Sequence, residues 1–285
     1  MITAEIIADS VASDKCGPIG KRITTFRLTY PRFVHAELMT HRVFSRNASS
    51  SRAIPIRKML AAVWSNPAMP VYWGANQAGM QARKELEGFK LWLAKQVWRK
   101  SRYLALGTAW TLDKIGMHKQ IANRVLEPWG HITVVVTATE FANWFVLRTH
   151  PDAQPEIREL AVKMEYLYRT NVPDELDPGD WHLPFTTAEE RVSLSLETLI
   201  KISVARCART SYFTHDNKPT TVEADVELHD KLIVSQPMHA SPAEHQAKPD
   251  MFQFESWNNS NLHGNLVGFI QYRKTLPGEN HNTYN

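Results

Sequence analysis

Two short stretches limit the folds open to this chain. Residues 22–30 read RITTFRLTY, alternate apolar and polar side chains, and stop at Pro31. That period of two is the signature of a half-buried strand. Residues 132–138 read ITVVVTA, a short β-branched run that predicts a buried strand. Residues 1–12 alternate enough to open the chain with a third strand. Most of the remaining pattern is helical. Helices are expected over residues 33–42, 57–64, 81–107, 114–126, 155–169, 194–208 and 225–234, the second stopping near Pro67 and the fourth before Pro128. Thr139 reads as the N-cap of a further helix ending near Arg148, with Glu140 in its first turn. Residues 252–264 are polar and Asn-rich and read as a long loop, and 266–272 as a final strand or helix. The fold class is therefore mixed α/β (α+β), with several long helices and few strands.

Residues 171–185, NVPDELDPGDWHLPF, concentrate Pro, Gly and Asp and read as a linker between a body at 1–170 and a second at 186–285. The 285 residues are 43% hydrophobic, enough for a real core, and nine Trp with eleven Phe argue against disorder. The net charge of +4 favours anionic partners but is too mild to demand nucleic acid. The opening residues lack the basic and apolar regions of a signal peptide, and no apolar run reaches the ~20 residues of a membrane span. A cytoplasmic protein is expected. Cys16 and Cys207 are far apart, with neither disulfide nor metal spacing.

The charge is not evenly spread. Residues 40–52, THRVFSRNASSSR, hold three arginines, one histidine, four serines and no acid. Hydroxyls, backbone amides and guanidinium forks of this kind hold phosphate. Arg124 stands in KQIANRVLEP, where Glu127 is its simplest ion-pair partner. Arg148 ends the apolar run Phe145-Val146-Leu147 in NWFVLRTHPDAQPE. It is either paired with Asp152 or Glu156, or it holds a ligand. Near the C-terminus stand ARCARTSY (205–212) and HASPAEH (239–245). Pro242 breaks helical spacing between the two histidines of the latter and no third ligand is suitably placed, so no metal is expected. Glycine-rich nucleotide loops and nucleophile elbows are absent.

Together these segments resemble the flavin-dependent thymidylate synthase (ThyX) family. The family's hallmark is Arg-His-Arg, seven residues, then Ser; here His41-Arg42 and Ser50 match, while Thr40 replaces the first arginine. Asn47 and Arg52 also stand at family positions. The resemblance implies helices packed on a small mixed or antiparallel sheet. It implies FAD as cofactor, methylenetetrahydrofolate and NADPH as co-substrates, and methylation of dUMP to dTMP. Arg148 would polarise the pyrimidine. Ser49, Ser50, Ser51, Arg52 and Arg124 would bind the nucleotide, and His41, Arg42, Asn143, Ser211 and Ser241 the flavin. In the family the motifs resembling ARCARTSY and HASPAEH precede Arg-His-Arg, so the order here looks circularly permuted. A homotetramer, or a dimer if the halves are a repeat, is implied. Ala48 replaces an acid and Ala53 an aromatic residue, which leaves dCMP as substrate, or hydroxymethyl transfer, as an alternative. A nucleic-acid-binding protein without catalysis is the remaining alternative, with little basic surface beyond these loops to support it.

Overall fold

The computed structural model describes residues 1–212, 220–235 and 237–279, with the side chains of residues 211 and 212 outside the description. Ten helices and nine strands succeed one another within these residues. The first half holds β1 (Thr3–Ala12), β2 (Arg22–Pro31), α1 (His35–Met39), β3 (Ser45–Ala48), α2 (Ile56–Ser65) and α3 (Gly88–Lys114). Next come α4 (Lys119–Ala122), β4 (His131–Ala138), α5 (Ala142–Arg148), α6 (Pro155–Thr170) and β5 (Asp174–Leu176). The remainder is α7 (Ala188–Ser193), α8 (Leu196–Tyr212), α9 (Val222–Val234), β6 (Ala247–Pro249), β7 (Phe252–Gln253), β8 (Ser256–Trp257), β9 (Phe269–Gln271) and α10 (Tyr272–Thr275).

The main sheet runs β3-β4-β2-β1-β5. Its first four strands pair antiparallel and β5 joins β1 in parallel. Phe26, Leu28 and Tyr30 of β2 and Ile132, Val134 and Val136 of β4 face one side, where Trp144 and Phe145 of α5 and Ile157, Leu160 and Met164 of α6 close the largest core. A register shift between Ile6 and Ala8 marks a bulge in β1. One extra residue reverses the faces beyond it. Ala4 and Ile6 therefore pack on the α5–α6 side. Ala12 instead meets Ile23, Leu176, Ala247, Leu266 and Phe269 in a core on the opposite side. The sheet is covered on both faces, and the second cover comes from the C-terminal part of the chain.

Several expected elements take other forms. The expected helix at 81–107 is α3, shifted to Gly88–Lys114. Residues before it pair instead, with a bridge between Gly74 and Glu85. The expected helix at 114–126 shrinks to α4 and a 3-10 stretch, Asn123–Trp129, that contains Pro128. Thr139 is not an N-cap: α5 begins only at Ala142, after the buried Phe141 has docked against Phe26 and Phe44. The hydroxyl of Thr139 is buried without a hydrogen-bond partner. Within 171–185, β5 extends the main sheet and His182 bridges to Ala247. The Asn-rich 252–264 loop contains the β7–β8 hairpin, whose turn places Phe254 and Glu255 at positive φ.

Candidate functional site

β3 is one of the two edge strands of the main sheet, and it carries the centre of the arginine-rich segment. Its pairing with β4 sorts its side chains by register. Ser45 and Asn47 lie opposite Thr137 and Val135, while Arg46 and Ala48 lie opposite Val136 and Val134. Arg46 and Ala48 thus share the α5–α6 face, and Ser45 and Asn47 share the face covered by α8.

On the first face His41 sits below the end of α5. Its ring is buried, stacked on Phe44 at 5.8 Å and set edge-on to Trp144 at 4.8 Å. Arg148 Nε donates to His41 Nε2 at 3.0 Å, and Arg148 Nη2 donates to Thr40 Oγ1 at 3.1 Å. Burial, followed by the charges of Arg148 and Arg46, lowers the His41 pKa. The imidazole is therefore neutral at pH 7. Because Nε2 accepts, its proton sits on Nδ1. Arg148 bonds neither Asp152 nor Glu156. Glu156 instead accepts the backbone amide of Val71 and the side chain of Gln154. Arg46 donates to the carbonyls of Met39 at 2.9 Å and His41 at 3.3 Å, tying down the turn between α1 and β3.

The serine run continues directly from β3. Ser49 extends the ladder: its amide donates to Thr133 O at 2.8 Å and its hydroxyl accepts from the Thr133 amide at 3.1 Å. Ser51 is buried and donates to Glu127 Oε1 at 2.5 Å. Asn123 Nδ2 holds the same turn through the carbonyls of Ser51 and Ile54. Glu127 also receives Arg124 at 3.0 Å and Arg32 at 3.2 Å. Sequence reasoning found the Arg124–Glu127 pair but not Arg32 or Ser51, whose distance along the chain hides the shared carboxylate. Two of the three serines are thus engaged within the protein. Ser50 is half-exposed, and its hydroxyl has no hydrogen-bond partner among the described residues.

Arg42, Arg52, Asn143 and Ser241 are exposed, and the side chains of all four are without hydrogen-bond or ion-pair partners among the described residues. The two clusters, His41–Arg148 and Ser50–Arg52–Arg124, lie at opposite ends of β3. A four-residue strand separates them by roughly 13 Å.

The other face of β3 meets the C-terminal motifs. Asn47 Nδ2 donates to the carbonyl of Cys207 in α8 at 2.5 Å. Ser45 Oγ donates to Asn265 Oδ1 at 3.1 Å, and Gln271 Nε2 reaches Ser45 at 3.3 Å and Glu244 O at 3.1 Å. The ARCARTSY and HASPAEH segments are therefore packed beside the arginine-rich strand, although more than half of the chain separates them in sequence. Ser211 belongs to α8, but its side chain lies outside the described residues. Both cysteines are buried and burial raises both thiol pKa values, so neither presents a thiolate at neutral pH. Among the described residues no group of three or more His, Cys, Asp or Glu could hold a metal ion. No helix among them is long and apolar enough to cross a membrane.

Two solved structures of the UMP/dUMP methylase PolB from Streptomyces cacaoi resemble this chain. The one bound with 5-Br dUMP has a TM-score of 0.47 at 19% identity, and the match covers 59% of this chain and 90% of that one. The one bound with 5-Br UMP has a TM-score of 0.46 at 18% identity, covering 59% and 88%. No curated protein sequence matches the chain. The model of a protein family described as thymidylate synthase complementing protein matches residues 3–174, which include β1 to β4, His41 and Arg148. This chain belongs to the thymidylate synthase complementing protein family.

Proposed function

We infer that the protein is a flavin-dependent thymidylate synthase, methylating dUMP at C5 to give dTMP with methylenetetrahydrofolate as carbon donor and NADPH as reductant. The observation that carries this reading is the bond from Arg148 to a neutral His41. It joins the segment assigned to the pyrimidine with the segment assigned to the flavin. C5 of uracil is a weak nucleophile. A guanidinium at the carbonyl edge of the ring favours ionisation at N3 and stabilises the charge that activates C5. Arg148 suits that task because two acceptors fix its plane and Nη1 has no hydrogen-bond partner among the described residues. Ser50, Arg52 and Arg124 supply charge-assisted donors for the nucleotide and its phosphate. Ser49 and Ser51 shape that turn from within.

The donor set suits an anionic dinucleotide cofactor: Arg42, Asn143 and Ser241 are exposed and unpaired among the described residues. They would hold FAD with His41 and Ser211, and FAD would supply the redox chemistry. With both thiols buried and protonated, the chemistry is assigned to Arg148 and the bound groups rather than to a protein nucleophile. The packing of α8 and the 3-10 turn Ser241–Glu244 beside β3 supports the permuted order of motifs.

Two substitutions keep a sibling activity in view. Thr40 stands where the family has an arginine and accepts from Arg148. Ala53 leaves room beside Arg52. An enzyme acting on dCMP, or transferring a hydroxymethyl group, is separated by comparing dUMP with dCMP as substrates.

The test is a visible absorption spectrum after FAD loading and desalting, with and without dUMP, for the native protein and Arg148→Ala. Both proteins should retain the flavin band, and only the native one should show a dUMP-induced shift and turnover. A protein that never retains FAD, or near-normal turnover in Arg148→Ala, overturns the proposal.

A further inference from the structure

Glu37 lies in α1, one turn ahead of Thr40, and its backbone carbonyl accepts the Thr40 hydroxyl at 2.7 Å. Residues three apart share a helix face, so the Glu37 side chain stands on the side of α1 where Arg148 reaches Thr40. Its carboxylate is half-buried and has no hydrogen-bond or ion-pair partner among the described residues. Thr40 cannot serve it, because that hydroxyl gives its proton to the carbonyl and accepts from Arg148. The charges that act on Glu37 come from Arg148 on α5 and Glu156 on α6. Glu156 is satisfied by Val71 and Gln154. Arg148 keeps Nη1 free among the described residues.

A carboxylate and a guanidinium donor thus stand within electrostatic reach of one another without closing an ion pair. Both are partly stripped of water, and a partly buried charge left unpaired is costly. A ligand edge carrying a donor beside an acceptor accounts for the arrangement. Uracil has such an edge: N3–H is flanked by the carbonyl oxygens O2 and O4. Cytosine has a lone pair at N3 in place of the proton.

We propose that Glu37 is the base that accepts the N3 proton of dUMP while Arg148 holds an adjacent carbonyl oxygen. The inference rests on the reading of Arg148 as the group at the pyrimidine edge. The N3–H bond breaks and an O–H bond forms on the Glu37 carboxylate. The electron pair left on N3 is shared with O2 and O4, the C4 carbonyl withdraws less from C5, and C5 becomes the better nucleophile. Glu37 returns the proton to N3 once C5 has formed its new bond. Burial raises the Glu37 pKa, which makes it a stronger base than a solvated glutamate. The same carboxylate sets specificity. The N3 lone pair of cytosine would meet it whichever neighbouring oxygen or amino group faces Arg148, so dUMP is accepted and dCMP is rejected.

The test is Glu37→Gln in the FAD-loaded protein, with calorimetric titration of dUMP and dCMP and turnover followed against pH. Glutamine keeps the shape, and its amide carbonyl still accepts N3–H. Affinity for dUMP should fall no more than about tenfold, while kcat falls about 10²-fold or more. Native kcat/KM should fall as pH drops through the Glu37 pKa, and the variant should lose that acid limb; the dUMP phosphate titrates alike in both. The native preference for dUMP over dCMP, about 10²-fold or more, should shrink at least about tenfold, because the amide can turn its NH2 toward N3 of cytosine. Native turnover, an unchanged acid limb or an unchanged preference in Glu37→Gln overturns the proposal and leaves Arg148 in place. Native protein that binds no dUMP overturns both readings.

Discussion

Thr40, His41 and Arg148 depend on one another. Arg148 needs both acceptors to fix its guanidinium, and His41 needs a donor for a buried nitrogen. In Arg148→Ala, burial still lowers the His41 pKa but one of the two neighbouring positive charges is gone. The His41 pKa should therefore rise above its native value while staying below 6.5. NMR titration of the ring checks this, and an unmoved pKa would break the link. Arg52 is different, being exposed and without a partner among the described residues. Arg52→Ala should weaken nucleotide binding by about 1.5–3 kcal/mol without moving the melting temperature. Calorimetric titration with dUMP reads this directly, and an unchanged Kd would remove Arg52 from the phosphate site. The family resemblance pointed to both residues, but the composition of residues 40–52 could not say that Ser49 and Ser51 face inward. Strand register and the Glu127 carboxylate decide that.

The elements are held by polar contacts that cross between distant segments. A buried chain runs from Ser10 through His182, Thr25 and Thr137 to His245, each link between 2.7 and 2.9 Å. Burial lowers both histidine pKa values to about 3. Below pH 6.5 the unfolded chain takes up protons that the folded chain refuses, so stability falls as pH drops from about 6.5 toward about 3. The slope should be on the order of 1.4 kcal/mol per pH unit for each histidine. Urea unfolding at successive pH values measures it, and His245→Gln should reduce the slope by one histidine's share. Between α8 and α9, Asp225 is fully buried and pairs with Arg206 at 2.9 Å and Arg209 at 2.8 Å. Asp225→Ala leaves Arg209 without a carboxylate and Arg206 with Glu190 alone, and should cost about 3–5 kcal/mol in urea unfolding. A loss below about 1 kcal/mol would show that water compensates Arg209 and that Glu190 suffices for Arg206.

For the whole molecule, the C-terminal part completes the sheet's second face. Residues 3–174 carry the family match, yet one side of β2 and β4 is closed by α8 and by Ala247, Leu266 and Phe269. A fragment ending at residue 177 should expose that face, bind a hydrophobic dye and melt without cooperativity. A cooperative melt with native-like circular dichroism would show that the N-terminal body folds alone. The sequence by itself determined the elements that local periodicity specifies: β1, β2, β4, α6, α8 and α9 lie close to where alternation or helical spacing puts them. It also determined that residues 40–52 concentrate arginine and serine without an acid. It could not determine which side of α3 faces inward, because Phe89, Leu93, Val97 and Leu104 carry a helical pattern whether they meet a core or solvent. Nor could it place Arg148 on His41, or the C-terminal motifs beside β3. Those contacts join residues more than a hundred positions apart, and the side chains that β3 turns toward α8 are set by a strand register that exists only once the chain has folded.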